Sequence, residues 1–215
     1  MTISADMYYS IRSPYSFLAI QLLEQLLPQQ DAEIVINLRP VLPIAARMPE
    51  LFKRANPMAL PYLEHDCRRA AEKLGIEFRI WPQPDPIVQN METLEIAQDQ
   101  PHVRPLTRRM QYACEQGKGY AYVLALATLL WDGNTDGWEQ GDHLQSVAET
   151  VGLDHAAMES AIAEDAAMYD AAIDANQQSL AAAGHWGVPT MVYSGEPFFG
   201  HDRVETLLWR IAQKE

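Results

Sequence analysis

Residues 7–16 read Met7-Tyr-Tyr-Ser-Ile-Arg-Ser-Pro-Tyr-Ser16, and they join a strand pattern to a helix pattern through one tight turn. The first half, Met7 to Ile11, is rich in aromatic and β-branched residues, which favour a strand. Ser13 is a typical helix N-cap, and Pro14 suits the first helical position because its missing N–H needs no partner there. Leucines at helical spacing follow, and a second strand pattern begins at Glu33. The first 40 residues therefore predict a β-α-β unit.

The end of the chain carries the complementary pattern. Thr190-Met-Val-Tyr193 and Glu196-Pro-Phe-Phe199 predict two strands, with a turn at Ser194-Gly195 between them. A helix follows, in which Asp202 and Glu205 resemble a capping box. Its apolar residues share one face: Val204, Leu207, Leu208 and Ile211. A β-α-β beginning and a β-β-α end predict an α/β protein with a thioredoxin-like fold, interrupted by a long insertion.

The insertion, residues 43–183, is helical in pattern. Apolar residues recur at helical spacing in four segments: 58–74, 106–115, 120–131 and 144–151. Residues 156–183 contain 12 alanines, a composition that strongly favours helix. Three prolines, at positions 82, 84 and 86, mark a loop. We therefore predict a thioredoxin-like domain from residues 1–42 and 184–215, with an all-helical insertion domain over 43–183.

Composition limits the partners and the location that we expect. The chain has 215 residues with 16 Lys and Arg against 29 Asp and Glu, a formal charge of −13, which argues against nucleic acid or an anionic membrane surface. No apolar run approaches the ~20 residues of a membrane span, and the N-terminus lacks a signal-peptide pattern. Cys67 and Cys114 lie far apart and outside any CxxC, as in reduced cytosolic proteins. We expect a cytoplasmic protein, in which any anionic ligand needs a local positive pocket.

Two segments resemble functional motifs but are incomplete. Asp132-Gly-Asn-Thr-Asp-Gly137 fits the first half of an EF-hand loop, but the twelfth position, which should be a bidentate Glu, is His143. Gly117-Lys118-Gly119 lacks the rest of a P-loop. The histidines show no metal-ligand spacing. We therefore predict no metal site.

Two further segments point to a binding site. Gly187-Val188-Pro189-Thr190 stands directly before a strand, and Gly200-His201-Asp202-Arg203 follows the predicted hairpin. In a thioredoxin fold both lie close to the turn at Ser13. A proline before a central strand removes a hydrogen-bond donor from the sheet, so its presence needs a reason. A cis Val188–Pro189 bond would supply one, by turning the Val188 backbone toward a ligand that pairs with it like an added strand.

These residues resemble a known family, the 2-hydroxychromene-2-carboxylate isomerases, and their relatives, the kappa-class glutathione transferases, in the DsbA-like branch of the thioredoxin superfamily. The resemblance runs in order from the first strand to the last helix. It is carried by Ser13-Pro-Tyr-Ser-Phe-Leu-Ala19, Arg39-Pro-Val-Leu42, Asp66-x-x-Arg69, Gly187-Val-Pro-Thr-Met191 and Phe199-Gly-His-Asp-Arg203. It implies glutathione as the cofactor, a small aromatic or electrophilic substrate, and a homodimer.

The resemblance also implies roles for particular residues. Ser13 matches the catalytic serine that hydrogen-bonds the glutathione sulfur, and a hydroxyl donor at a helix N-terminus would lower the pKa of a thiol. Val188, before Pro189, matches the residue whose backbone pairs with the cysteinyl part. His201 and Asp202 match the pair that holds the γ-glutamyl end. The simpler alternatives remain open, in which Ser13 and Asp202 only cap helices.

The sequence departs from the family at several positions. Ala59 stands where the family usually has a lysine that meets the glycyl carboxylate, and Trp81 to Asn90 lacks the Asn-containing pattern of the isomerases. Asn56 is a candidate replacement for the lysine, as is a nearby cation: Arg47, Lys53 or Arg54. The residues that we expect to face the substrate are Arg12, Tyr15 and Trp186. Arg12 can alternatively be a solvated surface residue.

Three functional hypotheses follow. The first is a glutathione-dependent isomerase of 2-hydroxychromene-2-carboxylate type, acting in aromatic compound catabolism through reversible addition of the thiol to an aromatic keto acid. The second is a kappa-like transferase that conjugates glutathione to electrophiles. The third is a non-catalytic protein that binds a thiol or an extended peptide. Dithiol exchange by the chain itself is excluded, because the start of the first helix carries no cysteine.

Overall fold

A mixed four-stranded sheet lies at the centre of the computed structural model, which describes residues 2–50, 56, 58–90, 92, 93 and 95–213. Its strands are β1 (Thr2–Tyr9), β2 (Glu33–Pro40), β3 (Thr190–Tyr193) and β4 (Glu196–Phe199), in the spatial order β2-β1-β3-β4. β1 runs parallel to β2 and antiparallel to β3, which pairs antiparallel with β4. The fold is the predicted α/β thioredoxin-like arrangement.

Helices follow the first strand, fill the middle of the chain and end it. In the described residues they are α1 (Pro14–Leu26), α2 (Ile44–Arg47), α3 (Ala59–Leu74), α4 (Val103–Glu115), α5 (Gly119–Trp131), α6 (His143–Thr150), α7 (His155–Glu164), α8 (Ala166–Ala182) and α9 (Val204–Ala212). Short 3₁₀ turns occupy Leu27–Gln29 and His201–Arg203. None of the described helices combines the length and the apolar character that a membrane crossing needs.

Two elements differ from their predicted limits for local reasons. β1 begins at Thr2 and ends at Tyr9 rather than at Ile11, because the Ser13 N–H donates to the Ser10 carbonyl at 3.0 Å and closes the turn early. The alanine-rich stretch 156–183 divides into α7 and α8 at Asp165, whose side chain accepts the Met168 N–H at 3.0 Å and starts a new helix. Composition favours helix on both sides of this break and therefore did not locate it.

The predicted capping box at Asp202 and Glu205 is wrong. Residues His201–Arg203 form a 3₁₀ turn, and α9 begins only at Val204, with no side-chain hydrogen bond at its cap. Asp202 instead pairs with Arg203, with 3.3 Å between carboxylate and guanidinium. The Asp202 carboxylate thus does not satisfy the N–H groups of the last helix.

One hydrophobic core contains side chains from the sheet and from the inserted helices, among them Met7 of β1, Phe17 of α1 and Leu126 of α5. Trp131, at the end of α5, is fully buried and its indole N–H donates to the Ile11 carbonyl at 2.9 Å. This bond ties the inserted helices to the turn between β1 and α1. Because this core is shared by the predicted thioredoxin-like and helical domains, the domain boundaries at 42/43 and 183/184 stay a prediction.

The acidic loop at 132–137 has its side chains engaged within the protein. The Asp132 carboxylate accepts the Asn134 N–H at 2.8 Å, and Asp136 pairs with Arg79 at 2.6 Å. Within the described residues, no three His, Cys, Asp or Glu side chains are grouped so as to hold a metal ion.

Candidate functional site

The structure brings together the turn at Ser13 and the turn before Pro189. The Ser13 hydroxyl lies 3.5 Å from the Val188 carbonyl oxygen, although 175 positions separate the two residues. Ser13 is the N-cap of α1, since its backbone is extended (φ −92°, ψ 113°) and its hydroxyl oxygen accepts the Ser16 N–H at 3.2 Å. The Val188–Pro189 peptide bond is cis, as predicted. Ser13 therefore caps a helix and also faces the turn before Pro189.

A mainly apolar cleft of about 170 Å³ opens beside Ser13. The turn after β1 contributes Ser10, Arg12, Ser13, Pro14 and Tyr15 to its lining. The remaining lining comes from distant parts of the chain: residues 43–45, Leu60, Leu63, Trp81, residues 186–188 and Phe199. The cleft offers an apolar environment to a group held near the Ser13 hydroxyl.

A second, more polar cleft of about 560 Å³ adjoins the first. The two share Tyr15, Val188 and Phe199, while the second is completed by Tyr62, Asp66, Pro189 and residues 200–203. His201 and Asp202 line this second cleft but not the first, whereas Val188 lines both. The two clefts meet at Val188.

Tyr15 connects the apolar and polar clefts. Its ring stacks on His201, with centroids 5.0 Å apart, and its hydroxyl donates to Asp66 at 2.9 Å. Burial, and then the hydrogen bond to Asp66, raises the pKa of Tyr15 well above its usual range, so the phenol stays protonated. Burial also lowers the pKa of His201, so the imidazole is mostly neutral near pH 7. Both residues therefore line the polar cleft as neutral groups.

Arg12 is buried in the wall of the apolar cleft. It is only 9% exposed, so the interpretation of a solvated surface residue is wrong. Its guanidinium makes two hydrogen bonds to Asp85, at 3.0 and 3.2 Å, and lies 4.2 Å from the centre of the Trp81 ring. Asp85 thus fixes the position of Arg12 beside the cleft.

Trp186 and Phe199, which line the same cleft, form an aromatic wall together with His185. His185 stacks on Phe199 with 4.0 Å between ring centroids, and on Trp186 with 5.5 Å. Trp186 and Phe199 remain 49% and 44% exposed. A Cβ atom on Gly187 would lie 2.6 Å from the Phe199 ring, so only glycine fits there without displacing the wall.

Sequence reasoning missed Phe199 and Trp81 as lining residues. Phe199 was part of the quoted Phe-Gly-His-Asp-Arg motif but was assigned only to a strand. Trp81 lies in the loop between α3 and α4, where no periodicity indicates which side chains turn inward. Its left-handed backbone (φ 65°) is rare for a bulky residue and is not visible in the sequence.

The structure does not bring Asn56 to either cleft. Its side-chain oxygen accepts the Met58 N–H at 2.9 Å, a local turn contact. Of the alternatives, Lys53 and Arg54 lie outside the described residues. Arg47 lines neither cleft, and its Nη1 donates at 3.1 Å to the carbonyl of Trp186, a residue that lines the apolar cleft.

Neither cysteine is placed to react at the site. Cys67 is completely buried in the core, and Cys114 donates to the Leu38 carbonyl at a sulfur–oxygen distance of 3.4 Å. Burial raises the pKa of both thiols to about 12. A reactive thiol in the cleft must therefore come from a ligand.

Comparison with known proteins decides the family. The family model of the DSBA-like thioredoxin domain matches residues 5–212. The chain belongs to this family. Within it, this chain carries Ser13-Pro14-Tyr15-Ser16 at the start of α1, without a cysteine. No curated protein sequence matches the chain.

Solved structures show the same fold at low sequence identity. A 2-hydroxychromene-2-carboxylate isomerase is 21% identical, with a TM-score of 0.74 over 98% of this chain and 95% of that one. A probable DsbA oxidoreductase from Streptomyces coelicolor is 18% identical, with a TM-score of 0.67 over 98% and 89% of the two chains. The cytosolic disulfide reductase DsbM from Pseudomonas aeruginosa, solved with GSH, is 13% identical, with a TM-score of 0.55 over 98% and 100%.

Proposed function

We propose that the protein is a glutathione-dependent isomerase of the 2-hydroxychromene-2-carboxylate type, which rearranges a double bond of an aromatic keto acid. The observation that carries this proposal is the position of Ser13. Its hydroxyl stands at the N-terminus of α1, 3.5 Å from the Val188 carbonyl, where an apolar and a polar cleft meet. A serine there can stabilise the sulfur of a bound thiol but cannot form a disulfide with it.

The polar cleft suits the γ-glutamyl end of glutathione, which carries an ammonium and a carboxylate. Asp202 supplies a carboxylate for the ammonium, and the adjacent Arg203 guanidinium supplies a charge for the carboxylate. The cysteinyl part then lies along Val188, which lines both clefts. In this arrangement the sulfur faces Ser13.

Ser13 can donate a hydrogen bond to the sulfur in place of its long contact to Val188. A separation of 3.5 Å is at the weak limit for a hydroxyl–carbonyl hydrogen bond, so little is lost when the donor turns to a thiolate. The N-terminus of α1 adds a partial positive charge at the same place. Both effects favour the thiolate and lower the pKa of the bound thiol.

The reaction consists of addition, rotation and elimination. The thiolate forms a C–S bond at the ring-side carbon of the double bond, and the electron pair moves onto the keto oxygen as an enolate. The former double bond is now single and rotates; the enolate then re-forms the double bond in the other geometry and expels the thiolate. Arg12 lines the cleft that holds the keto acid, and its guanidinium has N–H groups beyond the two bonded to Asp85 that can donate to the enolate oxygen.

A product assay with benzylidenepyruvate, an aromatic keto acid, tests the proposal. One geometric isomer is incubated with the protein, with and without glutathione, and both the isomer ratio and the free thiol are measured. We expect isomerisation only with glutathione, which is recovered unchanged. Absence of glutathione-dependent isomerisation across a set of aromatic keto acids contradicts the proposal.

The second candidate is a kappa-like glutathione transferase, which uses the same cofactor site. Trp81 favours the transferase, because Trp81 lines the apolar cleft and belongs to a segment that lacks the Asn-containing pattern of the isomerases. In the same assay a transferase consumes one thiol for each conjugate formed. The cytoplasmic location and the homodimer remain predictions.

A further inference from the structure

The Ser10 hydroxyl is buried beside the apolar cleft without a hydrogen-bond partner. Ser10 is 1% exposed and belongs to the lining of this cleft. Its Oγ has no partner among the described residues, although its carbonyl accepts the Ser13 N–H at 3.0 Å. An unpaired hydroxyl costs free energy when it is buried, so its presence in the wall of a cleft needs an explanation. A ligand in the cleft can supply the missing acceptor.

The order of side chains along β1 places Ser10 on the side of the sheet where the cleft lies. Successive side chains of a strand point to opposite faces, so Ser10, which directly follows the strand, continues the face of Tyr8. Tyr8 packs in a small cluster that includes Val188, whereas Tyr9 packs in the main core. Val188 lines the apolar cleft. The alternation therefore directs the Ser10 side chain toward the cleft.

Two polar side chains lie at the inner end of the apolar cleft. Ser10 and Arg12 are 1% and 9% exposed, whereas Trp186 and Phe199, which line the same cleft, are about half exposed. Neither Ser10 nor Arg12 lines the polar cleft. A hydroxyl and a guanidinium thus stand inside, and two aromatic rings stand at the mouth. This arrangement suits a ligand with an anionic head and an aromatic end, bound with its head inward.

We propose that the Ser10 hydroxyl donates a hydrogen bond to the carboxylate of the aromatic keto acid, next to the keto oxygen that Arg12 faces. This inference rests on the proposed isomerase function. Only the neighbouring carbon and the keto carbon separate the attacked carbon from the carboxylate. Since Ser10 and Ser13 belong to one turn, the same cleft can hold the sulfur at Ser13 and the carboxylate at Ser10. The aromatic ring then lies toward Trp186 and Phe199, and Ser10 selects keto acids over ketones without a carboxylate.

Kinetics with an acid and a matched ketone test the assignment. Benzylidenepyruvate and benzylideneacetone offer the same conjugated double bond to the thiolate, but the ketone carries a methyl group in place of the carboxylate. We expect the wild-type protein to prefer the acid in kcat/KM. Ser10→Ala should lose about tenfold or more of this preference, all of it through the acid, since a hydrogen bond to a charged group is lost. Where the ketone binds without isomerising, its inhibition constant replaces its kcat/KM.

Ser16→Ala is the matched control. The Ser16 hydroxyl is also buried and without a partner among the described residues, but Ser16 lines neither cleft. Its replacement should keep the wild-type preference for the acid.

Unfolding in urea separates a binding role of Ser10 from a structural one. Because the Ser10 hydroxyl has no partner among the described residues, Ser10→Ala should unfold at the same urea concentration as the wild-type protein or at a higher one. A variant that does not fold, or that unfolds earlier and loses activity equally on acid and ketone, overturns the assignment.

The kinetic outcomes also distinguish this inference from the proposed function. A wild-type protein that isomerises the acid with glutathione, together with an unchanged preference in Ser10→Ala, overturns the role of Ser10 and leaves the function intact. Absence of glutathione-dependent isomerisation in the wild-type protein overturns both.

Discussion

Replacing Ser13 with alanine removes the hydroxyl that we place against the glutathione sulfur and leaves the backbone N–H groups of α1 in position. A hydrogen bond to a charged group contributes about 1.5–3 kcal/mol, and one pKa unit corresponds to about 1.4 kcal/mol. The thiol pKa of bound glutathione should therefore rise by about 1–2 units in Ser13→Ala. The helix N-terminus alone favours the thiolate by ~0.3–1 kcal/mol, so less than one unit of the original depression should remain.

The assay is a pH titration of thiolate absorbance, with glutathione saturated by protein. Ser13→Ala also removes a helix cap, at a cost of about 1 kcal/mol in unfolding free energy. Asp154→Ala is the matched control, because Asp154 caps α7 by accepting the Ala157 N–H at 3.0 Å and lies outside both clefts. It should cost similar stability and leave the thiol pKa unchanged. An equal thiol pKa in the wild-type protein and Ser13→Ala would refute this reasoning and leave Ser13 as a simple cap.

Three further results are expected. Asp85→Ala leaves the buried Arg12 unpaired and should lower the unfolding free energy, measured in urea, by about 3 kcal/mol. Adding Arg12→Met to that variant should restore most of the lost unfolding free energy. If the double variant instead loses the sum of the two single losses, the buried pair is contradicted. Trp186→Ala should raise KM for aromatic substrates several-fold with little change in kcat. Trp209→Ala, which removes a 54% exposed tryptophan outside both clefts, is the control and should leave KM unchanged. Equal KM values for the two variants would exclude a contact between the Trp186 ring and the substrate. Burial raises the pKa of both cysteine thiols from 9.0 to about 12 in the folded protein. Because the thiols of the unfolded chain ionise at lower pH than those of the folded chain, the unfolding free energy should decrease as pH rises from about 9 toward 12. An unfolding free energy, measured by urea titration, that does not decrease above about pH 9 would contradict this.

Local signals in the sequence predicted the elements that carry the site. Ser13 and Pro14 have a meaning that depends only on the first turn of a helix, and Pro189 before a strand demands a special turn wherever it occurs. The structure confirms both turns and brings them together, as the β-α-β and β-β-α patterns require. The helix start at Ser13 and the turn before Pro189 were therefore predictable from the sequence.

Contacts made by irregular segments were not predictable in this way. Trp81 and Asp85 lie in the long loop before α4, where nothing periodic indicates that they meet Arg12. The capping box failed because Gly200, with φ 107°, leads into a 3₁₀ turn that delays the helix to Val204. The sequence pattern of a cap was present, but the backbone conformation that it needs was not.

A crystal structure of the protein with glutathione tests the central claim most directly. We predict the sulfur within hydrogen-bond distance of the Ser13 hydroxyl, the γ-glutamyl end beside Asp202, and the cysteinyl backbone along Val188. A cleft that stays empty at saturating glutathione, or a ligand whose sulfur points away from Ser13, would contradict the account.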